Sequence, residues 1–362
     1  MIKVLFILDN LEGGGAERVF VNIANGFVTN NISVEILLGK KTGIFLGILN
    51  PSIKILEVGS NNFFAYLKSF PAIFKKHSYT HIFTAGHYIS AAAVIVKKRY
   101  GIHAKIYQTH HYSHPDKRPI KYWKGDLVLK ALYYFTAPAA DRIISVSHGS
   151  LQWLGTFSGR ALPQGMVIHN PVFDNTIYNL AQEPVSFPTS IEGKTVLLNI
   201  GRLSEQKDQS TLVNAFNIYR EKNTGALLFI LGTGPLKKEL KERIRGMGLE
   251  QHIFLVGFQQ NPYKWLACCD LFILSSQYEG FGNVIVEAMA LGKTVVSTNC
   301  PSGPSEIITD GITGYLCPTR DAEALAVAIE KGVNQPLDKE IVQQASRRFE
   351  AAVIVKKYID LL

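Results

Sequence analysis

Short apolar runs alternate with amphipathic stretches along the whole chain. In the first half the runs that read as strands are 2–8, 33–38, 53–57, 81–84, 105–109, 142–146 and 166–169. In the second half they are 196–201, 226–231, 253–257, 271–275, 294–298 and 314–317. Most are nearly continuous, as in Leu227-Leu228-Phe229-Ile230-Leu231. Strands covered on both faces in a parallel sheet look like this. Between most of them the period turns helical; Val19, Ile23 and Phe27 share one stripe after the first strand. The pattern predicts an α/β protein with two doubly wound, Rossmann-like sheets.

The weakest stretch is 170–193, with three prolines and no clear period. The interdomain linker is placed there. The expected organisation is a first domain over 1–172, a linker region over 173–193 and a second domain over 194–340. The tail 341–362 reads as a helix, apolar at Ile341, Ala345, Phe349, Val353, Ile354 and Tyr358; it is free to pack back on the first domain. A length of 362 residues suits two cores of roughly 150–200 residues each.

Composition removes several classes. A hydrophobic fraction of 47% with 19% charged residues excludes disorder and collagen-like repeats. No apolar run approaches the ~18 residues a spanning helix needs. The run from Met1 to Asp9 reads as a buried first strand, too short and too acidic at its end for a signal peptide. Cys268, Cys269, Cys300 and Cys317 have neither disulfide-framework nor zinc spacing. They are expected to be small core residues of a reduced, cytoplasmic protein.

Charge is uneven. The net charge is +9; residues 1–185 hold 19 Lys and Arg against 10 Asp and Glu, and the remainder holds 19 of each. The first half is therefore expected to face something anionic, nucleic acid or a membrane surface.

Ligands of open α/β sheets bind beyond the carboxyl ends of strands, so the polar groups there matter most. After 2–8 comes Asp9-Asn10-Leu11-Glu12-Gly13-Gly14-Gly15-Ala16-Glu17-Arg18. Three glycines before a helix let backbone N–H groups approach a phosphate; a tight strand–helix turn is the other reading. A dinucleotide fingerprint is set aside, because its sixth position here is Arg18 and Glu35 lies inside the second strand. After 196–201 come Arg202 and Lys207. A guanidinium and an ammonium could neutralise a diphosphate leaving group; in isolation they also suit a solvated surface.

After 271–275 the chain reads Gln277-Tyr278-Glu279-Gly280-Phe281-Gly282-Asn283-Val284-Ile285-Val286-Glu287. A helix is predicted from about Asn283, placing both glutamates near the positive end of its dipole. That favours ionised carboxylates, which accept hydrogen bonds from sugar hydroxyls rather than act as general acids. A capping acid and a helix-face acid remain the plainer alternative. The loops Gly232-Thr233-Gly234-Pro235 and Pro301-Ser302-Gly303-Pro304-Ser305-Glu306 follow other strands and could line the same cleft.

In this order and spacing the segments resemble retaining glycosyltransferase family 4, of the lipopolysaccharide or lipid-linked oligosaccharide type, over almost the whole chain. Gly13 to Arg18 is similar to that family's N-terminal loop, Gly201-Arg202-Leu203 with Lys207 to its phosphate pair, and Glu279 to Glu287 to its Glu-x7-Glu motif. The resemblance implies two Rossmann-like domains facing across a cleft, the GT-B architecture. It implies that Gly14, Gly15, Arg202 and Lys207 meet the donor's phosphates and that Glu287 meets the ribose. Glu279, Gly280, Phe281, Gly282 and Asn283 would surround the donor sugar. Backbone groups of Val256-Gly257-Phe258 would meet a uracil base.

The family also implies a histidine near the reacting sugar. His110 fits best, with His111 and His87 as alternatives. The implied catalytic set is His110, Glu279, Arg202 and Lys207, in a same-face displacement in which the protein supplies positioning and charge. The chain contains no Asp-x-Asp, so no metal site is assigned; a UDP-sugar is a co-substrate and no resident cofactor is expected.

The basic half interleaves charge with aromatics over 61–79 and 117–135, including Lys117, Arg118, Lys121, Tyr122, Trp123, Lys124, Lys130, Tyr133, Tyr134 and Phe135. This suits an anionic bilayer and a lipid-linked or lipopolysaccharide acceptor; aromatics in a core beneath solvated charges are the alternative. No nucleic-acid-binding signature is present, so nucleic acid is not expected as a partner. The expected place of work is the cytoplasmic side of the inner membrane. A UDP-sugar epimerase and a non-enzymatic assembly partner are the competing functions.

Overall fold

A computed structural model of the chain describes residues 2–111 and 123–362. Thirteen strands are present among them: β1 (Lys3–Leu8), β2 (Ser33–Leu38), β3 (Lys54–Glu57), β4 (His81–Ala85), β5 (Lys105–His110), β6 (Arg142–Ser145), β7 (Gly165–Val167), β8 (Thr195–Ile200), β9 (Ala226–Leu231), β10 (Ile253–Gly257), β11 (Leu271–Leu274), β12 (Thr294–Thr298) and β13 (Tyr315–Cys317). The helices are α1 (Gly15–Thr29), α2 (Phe63–His77), α3 (His87–Tyr100), α4 (Trp123–Thr136), α5 (His148–Ser158), α6 (Thr176–Leu180), α7 (Gln209–Lys222), α8 (Lys237–Gly246), α9 (Tyr263–Cys268), α10 (Asn283–Ala290), α11 (Pro304–Ile307), α12 (Ala322–Asn334), α13 (Lys339–Ser346) and α14 (Ala351–Ile359).

The strands form two parallel sheets, ordered β3-β2-β1-β4-β5-β6-β7 and β10-β9-β8-β11-β12-β13. This is the expected pair of doubly wound α/β sheets. The nearly continuous apolar runs are the reason; all six residues of β9 are buried. In each sheet the strand order turns back at one place, between β1 and β4 and between β8 and β11. The loops after those strands border a crevice at the sheet's carboxyl edge, where α/β proteins take ligands.

The chain divides into two compact units, 1–172 with 351–362 and 173–350. The segment expected as a linker, 173–193, is built into the second unit. Ile177 is buried, Asn261 Nδ2 donates to the Leu180 carbonyl at 2.8 Å, and Phe187 packs edge-on against Phe229 and Trp265. Its anchors are few and irregularly spaced, which a periodicity search does not detect.

The tail departs from expectation too. It is not one helix. α13 stays on the second unit, where Gln343 Nε2 donates to the Ala290 carbonyl at 3.0 Å. Arg348 donates to the carbonyls of Glu306 and Ile307, and Phe349 packs on Phe281 with ring centres 5.2 Å apart. These contacts hold the break. Only α14 joins the first unit, burying Ile354, Val355 and Tyr358 in the same core as Phe6, Phe20 and Phe27. Three cysteines are buried as expected; Cys268 is exposed at the end of α9.

Candidate active site

In the second unit the turn-back between β8 and β11 brings the basic loop and the first glutamate together. Asn199 spans it from within, donating from Nδ2 to the Ile273 carbonyl at 2.8 Å. Beyond it, Lys207 Nζ lies 2.5 Å from Glu279 Oε1, and Ser276 Oγ donates to the same oxygen at 2.6 Å. Glu279 and Ser276 are buried. The carboxylate is thus held by an ammonium and a hydroxyl rather than by the helix dipole alone.

The two loops are laced together by one backbone pair and two side chains that donate to backbone carbonyls. Gln277 N donates to Gln206 O at 2.8 Å, Gln206 Nε2 to Tyr278 O at 3.0 Å, and Ser275 Oγ to Lys207 O at 2.8 Å. Asp208 takes a left-handed backbone, φ 44°, and caps α7 through Thr211. That turn carries Lys207 back over Gly201, its stem 3.4 Å from where a Gly201 side chain would begin. Arg202 stands at the start of that loop. It is exposed, and its guanidinium has no partner among the described residues.

Neighbouring strand ends pack close behind. A Cβ on Gly232, φ 132°, would stand 2.0 Å from the Gly201 carbonyl, and one on Gly303, φ 90°, would stand 1.9 Å from the Phe281 carbonyl. Only glycine fits either place. Gly232 N donates to Gly257 O at 2.8 Å, which sets the end of β10 beside this loop. Val256 and Gly257 are half-buried there, and Phe258 is exposed. Gly280 is half-buried and Phe281 is buried; Gly282, φ 99°, is the N-cap of α10, which begins at Asn283 as expected. Glu287 lies one turn inside, with Tyr263 Oη donating to it at 3.3 Å. The Cys300 thiol is buried behind Glu279; burial, and then the carboxylate's charge, push its pKa up.

In the first unit the glycine loop also behaves in a particular way. Gly13 needs its left-handed backbone, φ 126°, and Gly14 is the N-cap of α1. The Glu17 carboxylate folds back over that N-terminus, 2.1 Å from where a Gly14 side chain would begin. Burial raises its pKa, its own backbone N–H lowers it, and the charges of Asp9 and Glu12 raise it again. A phosphate arriving over Gly14 and Gly15 would take the place Glu17 now occupies. Asp9, at the end of β1, accepts from Tyr66 Oη at 2.5 Å.

The three histidines separate clearly. His110 is buried at the end of β5, stacked on Trp153. His111 packs on Phe20, and burial lowers its pKa to about 4. His87 is half-buried at the head of α3. Sequence reading missed Ser276, Gln206, Tyr263 and Tyr133. Ser276 carried a signal, three residues before Glu279 in the same loop. Gln206 stands beside Lys207 in the basic loop, whereas Tyr263 and Tyr133 lie on elements remote in sequence and carried none.

Of the basic half, Tyr66, Phe70, Phe74, Tyr79 and Tyr133 are core, while Phe64, Tyr134 and Phe135 are exposed. Lys117, Arg118, Lys121 and Tyr122 lie outside the described residues, as do the side chains of Trp123 and Lys124. No helix among the described residues is long and apolar enough to cross a membrane.

Residues 13–174 match the family model for glycosyltransferase family 4, and residues 182–349 match that for glycosyl transferases group 1. The chain belongs to glycosyltransferase family 4. Both matches fall on the two units just described, so this family 4 chain carries its basic pair and its Glu-x7-Glu motif in the second.

The N-acetylgalactosamine-N,N'-diacetylbacillosaminyl-diphospho-undecaprenol 4-alpha-N-acetylgalactosaminyltransferase of Campylobacter jejuni is 34% identical over 192 residues, 53% of this chain and 50% of that protein. A lipopolysaccharide core biosynthesis glycosyltransferase of Rhizobium meliloti is 31% identical over 172 residues, 46% and 49% of the two chains. The family 4 chain thus spans about half the length of these curated relatives. Among solved structures, Anabaena Alr3699/HepE in complex with UDP and glucose superposes with a TM-score of 0.81 at 22% identity, covering 100% of this chain and 99% of that one. That likeness is one of fold, GT-B.

Proposed function

We propose that the protein is a retaining glycosyltransferase that moves a hexose or N-acetylhexosamine from a UDP-sugar to a hydroxyl of a lipid-linked glycan or lipopolysaccharide precursor. The observation that carries this reading is the pairing of Lys207 with buried Glu279 beside an exposed Arg202. Such a site offers an unengaged guanidinium to a diphosphate, and an ammonium already fixed in place. Arg202 and Lys207 would take up negative charge as the bond to the anomeric carbon breaks. The acceptor oxygen bonds to that carbon on the same face, the bonding pair leaves with the UDP, and the hydroxyl proton passes to the departing phosphate. Glu279 would orient the donor sugar, Glu287 the ribose, and the loop at Val256, Gly257 and Phe258 the uracil.

The uridine donor draws support from the Anabaena neighbour solved with UDP and glucose. The lipid-borne acceptor draws support from the printed names of the Campylobacter and Rhizobium relatives. The anionic-membrane reading draws support from α2, α3 and α4, where Lys68, Lys75, Lys76, Lys98, Arg99 and Lys130 are exposed beside Phe64, Tyr100 and Phe135. We place this work at the cytoplasmic side of the inner membrane.

The test is a mass-spectrometric screen of UDP-sugars against lipid-linked acceptors. A sugar mass added to an acceptor, lost in Arg202→Ala, supports the reading. Conversion of UDP-N-acetylglucosamine to its epimer without any acceptor would replace it.

A further inference from the structure

Tyr133, on α4, stands between two of the candidate histidines. Its hydroxyl is hydrogen-bonded to His87 Nδ1 and lies 3.3 Å from His110 Nδ1. Its ring meets both imidazoles edge-on, with centres 5.1 Å and 6.1 Å apart. Tyr133 and His110 are buried, and Trp153 stacks flat on the far side of His110 at 5.6 Å. Three elements remote in sequence therefore converge on one hydroxyl.

A phenol has one hydrogen to give and two lone pairs to receive with. Between two neutral imidazoles it can donate to only one Nδ1. With that hydrogen placed on one Nδ1, the other Nδ1 carries a hydrogen of its own and donates it to the phenol oxygen. The first ring then holds its own hydrogen on Nε2, and the second presents a bare Nε2. Whichever of the two Nδ1 atoms takes the phenol hydrogen, the rings show opposite characters at their outer nitrogens.

We propose that Tyr133 is a positioning residue that locks His87 and His110 into opposite tautomers, and that His87 is the ring that meets the substrate. His87 is half-buried at the head of α3, whereas His110 is enclosed beneath Trp153 and serves as the fixed partner behind it. A ring with a fixed tautomer either gives or takes a hydrogen bond at a sugar hydroxyl, without averaging over both. The consequence for transfer rests on the function proposed above; the tautomers do not.

The full chain labelled with 15N-histidine, near pH 8.5 and about two units above the ordinary imidazole pKa, reports each tautomer through long-range 1H–15N couplings. His87→Asn and His110→Asn supply the assignments. The expected spectrum has one ring protonated on Nδ1 and the other on Nε2. In Tyr133→Phe the Nδ1-protonated ring should revert to the Nε2 form that free imidazole prefers. In the transfer assay that variant should lose about tenfold or more in kcat with the donor KM unchanged within about twofold. Matching tautomers in the unsubstituted chain, or tautomers or kcat unmoved by Tyr133→Phe, would overturn the proposal. Failure of the unsubstituted chain to transfer any sugar counts against the function alone, because the spectrum needs no substrate.

Discussion

Lys207 and Ser276 both bind one oxygen, Oε1 of Glu279, at 2.5 Å and 2.6 Å. The basic loop and the acidic loop are thus a single construction. Arg202, five residues before Lys207 in the same loop, takes no part in it.

That asymmetry separates two variants. Lys207→Ala leaves the Glu279 carboxylate buried without its ammonium, which should cost about 3 kcal/mol of stability. Arg202→Ala removes an exposed group and should change stability by less than about 0.5 kcal/mol. Both should weaken UDP binding. Urea unfolding beside calorimetry with UDP checks this. Equal destabilisation by the two substitutions would show that the pair does not hold the loops together.

Gly303 offers a second probe. A methyl there would stand 1.9 Å from the Phe281 carbonyl on a left-handed backbone. Gly303→Ala should displace the Glu279–Asn283 loop and cost about 2 kcal/mol or more. Transfer should fall with it. A melting temperature within a degree of the unsubstituted chain would contradict the close approach.

Acid stability has two sources at separate pH. Burial holds His111 down to about 4 from its ordinary 6.5. Between those values the unfolded chain binds a proton that the folded chain refuses. Stability therefore falls as pH drops from 6.5 toward about 4, by up to ~3 kcal/mol. Replacing His111 by Gln should flatten denaturant midpoints across that window.

Glu35 acts lower on the scale. Burial pushes its carboxyl up, but hydrogen bonds from Lys3 at 2.8 Å and Tyr79 at 2.5 Å, with the charges of Lys3 and His77, outweigh that. Its folded pKa lies below the ordinary 4.5. The stability it contributes is complete above 4.5 and is lost as pH falls through the folded value. In Glu35→Gln the loss of stability below pH 4.5 should be shallower. An unchanged acid limb would remove Glu35 from the account.

Gly26 tests the return of the chain's end. Its α-carbon faces Val355 of α14 so closely that a methyl would stand 2.6 Å from Val355 Cγ2. Alanine gains about 1 kcal/mol of helix propensity over glycine. Overpacking a stiff, β-branched neighbour costs about 1–3 kcal/mol. Gly26→Ala should therefore lower the stability of the first unit, as thermal unfolding would show. Pairing it with Val355→Ala should restore what the clash removes.

The thirteen strands of the described residues were legible from apolar runs; the central ones are buried on both faces and write their positions into consecutive residues, while β3 at the sheet edge shows only Ile55 and Leu56 between exposed ends. So were the glycine loop, the basic pair and the two glutamates, since each is a local pattern at a strand end. The packing of 173–193 was not, because Ile177 and Phe187 are single anchors without a period. Nor was the break at Arg347–Phe349, which Phe281 and the carbonyls of Glu306 and Ile307 impose from outside.

By itself the sequence determined the class of fold, the order of the elements and the residue types offered at each strand end, all set by neighbours along the chain. Tertiary structure alone decided that Lys207 meets Glu279, that Glu17 covers Gly14, and that Tyr133 joins His87 to His110. Those relations depend on strand order and helix placement. Side-chain periodicity records which face of an element is buried, and it carries no record of what lies against that face.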